Sequence, residues 1–192
     1  LTRLLCGARV QRFVEPAGSS AKIYFANHTS HLDALVLWAS LPRPLRERTR
    51  PVAAHDYWAA SPFRRFLAER VFHAVLIERK EVRRTSNPLD AMLAALASGS
   101  SLILFPEGTR GDGETIAPFK SGLHHLARHR PDVELVPVHI DNLNRMLPKG
   151  EFLVVPLICC LRFGTSMHLE EGEAREAFLR RAEAAVRALR MP

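Results

Sequence analysis

The chain has 192 residues, 47% hydrophobic and 24% charged, enough for one domain with a substantial core and too apolar for a disordered segment. A net charge of +7 favours anionic partners: nucleic acid, anionic lipid, coenzyme A phosphates or an acidic carrier protein. No zinc-ligand spacing and no aromatic RNA-binding strand accompanies the charge, which argues against nucleic acid. A basic surface with no partner is the plain alternative.

In chain order, Ile23-Tyr24-Phe25-Ala26 reads as a short buried strand. Ser30 and Asp33 have the S-x-x-D form of a capping box, and the apolar run to Trp38 predicts a helix over about 31–40. A Pro/Arg-rich loop, 41–51, leads to a strand near Pro51 to Ala54. Residues 56–71 read as helical with an interruption near Pro62, and Val75-Leu76-Ile77 as a strand. Asn87, Pro88 and Asp90 mark a helix start that Gly99 closes. A strand over 102–105, a helix over about 120–129, a strand over 135–140 and strands within 152–163 follow. An amphipathic helix over about 170–190 ends the chain. Strands separated by helices predict an α/β fold with a mixed, largely parallel sheet flanked by helices.

Two loops carry the chemistry. His28 precedes Asp33 by five positions across the first strand-to-helix loop. An imidazole held by a carboxylate can take a proton from a hydroxyl, because the carboxylate fixes the tautomer and stabilises the imidazolium. The plain alternative is that Asp33 only caps the helix and His28 is a polar loop residue. The second loop, Phe105-Pro106-Glu107-Gly108-Thr109-Arg110, follows another buried strand. Its polar residues lie at the strand's carboxyl end, where open α/β sheets bind ligands. The alternative there is a surface turn with a local Glu–Arg pair.

N-H-x-S-x-x-D over 27–33 followed by F-P-E-G-T-R over 105–110 resembles the glycerolipid acyltransferase family, typified by lysophosphatidic acid acyltransferases. His73-Ala74-Val75-Leu76-Ile77-Glu78-Arg79 is similar to the family's G-x-x-F-I-x-R block, with His73 for the glycine and Leu76 for the phenylalanine. Leu135-Val136-Pro137-Val138 matches its proline-containing strand, and Phe119-Lys120-Ser121-Gly122 its F-K-x-G. The blocks span 27–138 of what reads as a single acyltransferase domain, 1–192. The resemblance implies transfer of a fatty acyl group from acyl-CoA or acyl carrier protein to the hydroxyl of a lysophospholipid, most of all 1-acylglycerol 3-phosphate. It implies His28 as general base, Asp33 as its orienter, and no cofactor. Arg79, Gly108, Thr109 and Arg110 are expected to bind the phosphorylated acceptor, and Glu107 to accept from its hydroxyl. Glycerol 3-phosphate or a lyso-aminolipid is the alternative acceptor. A non-catalytic lipid- or nucleic-acid-binding module is the alternative of another class.

Family members often carry membrane-inserting helices upstream. The chain begins at Leu1 without an initiator methionine, which leaves open whether such a segment precedes it; the longest apolar run, 152–161, is too short to span and contains Pro156. The expected location is cytoplasmic, peripheral on the inner face of an anionic membrane. Tyr57, Trp58, Phe63, Phe66, Leu67 and Phe72, flanked by Arg64, Arg65 and Arg70, read equally as an acyl tunnel or docking face and as core packing. Lys80, Arg83 and Arg84 read as a solvated charge run. His124, His125 and His129 have metal-compatible spacing without a third ligand type, and read as a solvated helix face. Cys6, Cys159 and Cys160 contain no C-x-x-C and read as reduced core thiols.

Overall fold

The fold is that of a computed structural model that describes residues 9–12, 20–78, 87–141 and 159–190. Among the described residues seven strands run β1 (Arg9–Arg12), β2 (Lys22–Ala26), β3 (Thr49–Ala54), β4 (Val75–Ile77), β5 (Ser101–Leu104), β6 (Glu134–Asp141) and β7 (Cys160–Phe163). They form one sheet in the order β1-β7-β6-β2-β5-β3-β4. Every pairing is parallel except β6 with β7. This is the mixed, largely parallel sheet that the alternating elements predict.

Helices cover both faces. Those described are α1 (Asp33–Ser40), α2 (Arg43–Glu47), α3 (His55–Ala59), α4 (Pro62–Phe66), α5 (Pro88–Ala97), α6 (Gly122–His129) and α7 (Arg175–Arg187), with a π-helical turn at Leu67–Val71. Central β2 shows why its sequence is apolar throughout. Ile23 and Phe25 pack on one face with Leu96, Leu123 and Phe178; Tyr24 and Ala26 pack on the other with Val36, Leu37 and Phe163. A parallel strand covered on both faces has no solvent side to leave polar.

Pro137 lies inside β6 without breaking the ladder. It faces the same side as Leu135, which pairs with Met167, and its carbonyl accepts from Gly164 beyond the end of β7. No neighbouring strand needs the N–H that proline lacks.

Several boundaries differ from expectation. The helix expected from 31 begins at Asp33, with Leu32 as its cap. Asp33 bonds the Ser30 amide as a capping box requires, but the Ser30 hydroxyl accepts from Leu32. The 41–51 loop contains α2, where Pro42 and Pro44 flank Arg43 in a first turn that tolerates missing N–H groups, and β3 begins at Thr49. The terminal helix is confined to Arg175–Arg187. Asn87 does cap α5, accepting from Leu89 at 3.1 Å, and Gly99 leaves it at φ 81°. His73, where the resembling families carry glycine, has φ 46°, the left-handed conformation for which glycine has no penalty.

The three-histidine helix face is not wholly solvated. His124 is buried against Phe178, and burial lowers its pKa; His125 and His129 are joined by a bond from the His129 ring to the His125 carbonyl. Among the described residues no group of three or more His, Cys, Asp or Glu could hold a metal, and no helix is long and apolar enough to cross a membrane. Cys159 and Cys160 are free thiols, Cys159 buried. Cys6, Lys80, Arg83, Arg84 and the expected strand residues 152–158 lie outside the described residues.

His139, on β6, gives a pH-dependent stability. Burial pushes its imidazole from 6.5 down to about 4, with Arg162 and Arg190 adding to the effect and Asp141 opposing it. Between those values the unfolded chain binds a proton that the folded chain refuses. Stability is therefore fully present above pH 6.5 and falls as pH drops toward 4, by on the order of 3 kcal/mol. Urea unfolding at pH 7 and pH 4.5 should show this loss, and His139→Gln should shrink it; an unchanged difference would assign the acid sensitivity to other groups.

Candidate active site

β2 and β5 are neighbours, yet their connections leave in opposite directions. The chain from β2 passes through α1 and α2 to β3 on one side; the chain from β5 passes through α6 to β6 on the other. Their carboxyl ends therefore flank a topological switch point, where the loops part and leave a crevice. The 27–33 loop and the 105–111 loop both emerge there.

The sheet dictates how the first loop is held. Asn27, immediately past β2, uses its amide as a strand extension: Oδ1 accepts from the Ile140 N–H at 2.8 Å and Nδ2 donates to the Ile140 carbonyl at 2.9 Å. The next residue, His28, projects into the cleft and stacks on Phe105, ring centroids 4.4 Å apart and 21° from parallel. His28 Nδ1 lies 2.8 Å from Asp33 Oδ2. That oxygen also accepts from the amides of Thr29 (2.6 Å) and Ser30 (2.8 Å). Asp33 is fully buried at the first turn of α1, where the helix dipole favours a negative charge. A carboxylate acceptor at Nδ1 places that ring's proton on Nδ1 and leaves Nε2 with a lone pair.

The second loop wraps the first. Gly108 stands at φ 71°, and a Cβ there would fall 2.6 Å from Lys120 Nζ, so the lysine side chain lies directly over the glycine. Arg110 Nη1 donates to His31 Nε2; burial, then Arg110, holds the His31 imidazole below its ordinary pKa. Gly108, Thr109, Arg110 and Lys120 all line the cleft with His28.

Glu107 departs from expectation. It is 3% exposed and does not line the cleft. Its Oε1 accepts from the His28 amide at 2.6 Å and its Oε2 from the Ala117 amide at 2.8 Å. Burial raises its pKa despite those two bonds. Oε1 thus holds the first loop at residue 28 and Oε2 holds the chain at Ala117, and the carboxyl does not line the cleft in which the expected contact with a substrate hydroxyl would be made. Arg79 lies outside the described residues, although its neighbours Ile77 and Glu78 line the cleft and Glu78 pairs with His55 at 2.9 Å.

The cleft encloses about 440 Å³. Arg110 and Lys120 bring two cations to its lining. Val52, Ala54 and Ile77, from β3 and β4, line it as well, with Trp58 and Phe72. The ambiguous aromatic group thus divides. Phe72 is buried edge-on to Trp38 and Trp58, while Phe66 is 56% exposed. The side chains of Tyr57 and Phe63 lie outside the described residues.

Sequence comparison agrees with the motifs. The acyltransferase family model matches residues 10–141, and the chain belongs to that family. It is 30% identical over 134 residues to a mouse 1-acyl-sn-glycerol-3-phosphate acyltransferase alpha, covering 67% of this chain and 43% of the mouse protein. It is 31% identical over 145 residues to a lyso-ornithine lipid O-acyltransferase of Rhizobium meliloti, covering 73% of this chain and 46% of that protein. The chain thus spans less than half the length of these relatives. The crystal structure of the 1-acyl-sn-glycerophosphate acyltransferase PlsC from Thermotoga maritima shares the fold, with a TM-score of 0.76 at 21% identity over 95% of this chain and 70% of that one.

Proposed function

We propose that the chain moves a fatty acyl group from an acyl thioester, acyl-CoA or acyl carrier protein, to the free hydroxyl of a lysophospholipid, with 1-acylglycerol 3-phosphate as the favoured acceptor. The observation that carries this reading is that one cleft holds a carboxylate-oriented imidazole, two cationic side chains and a largely apolar lining. His28 Nε2 removes the hydroxyl proton as the oxygen attacks the thioester carbonyl. The C–O bond forms, the tetrahedral intermediate collapses, the C–S bond breaks, and the leaving thiolate takes the proton from the imidazolium. Asp33 orients the ring and stabilises its charged form. The acceptor oxygen is itself the nucleophile, so no covalent enzyme intermediate is needed.

Arg110 and Lys120 supply the cations a phosphorylated acceptor needs, Arg110 through a planar fork. The apolar lining, Val52, Ala54, Trp58, Phe72 and Ile77 among it, suits an acyl chain. A lyso-aminolipid is the competing acceptor, because a relative named for lyso-ornithine lipid is as similar as one named for 1-acylglycerol 3-phosphate. Steady-state kinetics on lysophosphatidic acid, glycerol 3-phosphate and lyso-ornithine lipid separates them. Arg110→Ala is expected to raise the KM for the phosphorylated acceptor about tenfold, the loss of one charge-assisted contact, with little change for the donor. An effect confined to the donor would reassign Arg110 to the thioester's phosphates or carrier.

The same reading places the protein on an anionic cytoplasmic membrane surface. Phe66 and Val71 are exposed, with Arg65, paired to Glu69, and Arg70 next to them in sequence. Each basic residue at such a surface contributes about 1 kcal/mol, screened by salt, and inserted apolar side chains add a salt-resistant part. Co-sedimentation with phosphatidylglycerol vesicles should exceed that with phosphatidylcholine vesicles. Phe66→Ser with Val71→Ser should reduce the fraction retained at high salt. Equal binding to both vesicles would overturn the charge argument.

A further inference from the structure

We propose that Glu107 is a positioning residue for His28, acting through the backbone, and not a ligand for the acceptor. The inference rests on His28 being the base. The 107–111 segment grips residue 28 at both of its peptide groups. Glu107 Oε1 accepts from the His28 N–H at 2.6 Å, and the Gly111 N–H donates to the His28 carbonyl at 2.8 Å. Glu107 Oε2 is in turn tied to the Ala117 N–H at 2.8 Å, which holds the far end of the loop. Both carboxylate oxygens are therefore occupied by main-chain donors, and the side chain is shut away from the cleft that Gly108, Thr109 and Arg110 line.

The consequence is a coupling of the two halves of the site. Gly108, Thr109 and Arg110 lie between the two residues that hold His28. A shift of the anion-binding segment is thus a shift of the base, and the distance between them is kept within one hydrogen-bonded unit. Bound geometry of this kind matters because a displacement of about 1 Å can lower a rate on the order of 10²-fold. The burial of Glu107 also explains why a carboxylate and not an amide suits the position. Two N–H groups converge on it, so two acceptors are required, and Gln would offer one acceptor and set an NH₂ donor against the other amide.

The test is a split between kcat and KM, with substitutions graded by what they retain. Glu107→Gln is expected to lower kcat at least tenfold while the KM values for acceptor and thioester each stay within about threefold. Glu107→Ala, with no acceptor, should fall further, so that Gln is a partial rescue. A large rise in the acceptor KM with kcat retained would overturn the proposal and return Glu107 to acceptor binding. Folding is followed by circular dichroism. A second measurement needs neither substitution nor turnover: in the wild-type protein the His28 backbone amide proton, bonded to a carboxylate, should resonate far downfield in ¹⁵N-edited NMR. An ordinary His28 amide shift overturns the clamp even if the variants do not fold. Because that signal involves no substrate, it stands or falls separately from the acyltransferase reading, which fails if wild-type protein acylates none of the acceptor panel.

Discussion

His28→Ala is expected to lower acyl transfer by ~10²–10⁴-fold, the range for loss of a general base, with the fold retained. His28 stacks on Phe105 at the cleft, outside the buried core clusters. Asp33→Asn is expected to be severe for two reasons. An amide presented to His28 Nδ1 favours the wrong tautomer. The Thr29 and Ser30 amides bond that same oxygen, so Asn must either turn its NH₂ against them or bury it at the Oδ1 position, where the carboxylate has no hydrogen-bond partner. The two variants should therefore differ in stability: His28→Ala close to wild type in thermal unfolding, Asp33→Asn below it. Thioester-dependent acylation of a lysolipid, measured alongside circular dichroism, decides the matter. Near-normal turnover in a folded His28→Ala protein would sink the mechanism.

Asn27→Ala is expected to be the costliest of the substitutions around the site for stability. It strips partners from the buried N–H and C=O of Ile140 at once. At about 1–3 kcal/mol for each orphaned group, the loss is roughly 2–6 kcal/mol. For a domain of this size that is a fall of roughly 4–24 °C in Tm. Asn27→Asp should be no better near neutral pH, because a carboxylate would face the Ile140 carbonyl where Nδ2 now donates. Scanning calorimetry of the wild type and both variants tests this, and a change in Tm of under 2 °C for Asn27→Ala would show that the two bonds hold nothing. Activity should fall with stability, since Asn27 is the last point at which the sheet grips the chain before His28.

The sheet, its two helical layers and the strand-end position of both motif loops were legible in the chain itself. Each depends on local pattern: apolar runs such as Ile23–Ala26, the Asn87-Pro88 helix start, and the tight turn at Gly108 that a glycine permits. The His28–Asp33 pair was legible for the same reason, five residues across one loop, where the backbone can close the contact without help from afar. The 41–51 segment misled because its prolines suggest a loop, while two of them sit where a short helix lacks N–H partners anyway.

What the sequence could not determine are the contacts that loop closure brings together. Asn27 reads as the first letter of a motif, but its work is on Ile140, 113 residues away. Glu107 reads as a polar residue offered to a ligand; only the approach of residue 28, 79 positions earlier, shows that it faces inward. His31 and Arg110, and Lys120 over Gly108, meet for the same reason. A polar side chain at a strand end has the same local signature whether it serves solvent, substrate or a neighbouring loop. Which of these it serves is settled by the strand order that makes β2 and β5 neighbours and turns their loops onto each other.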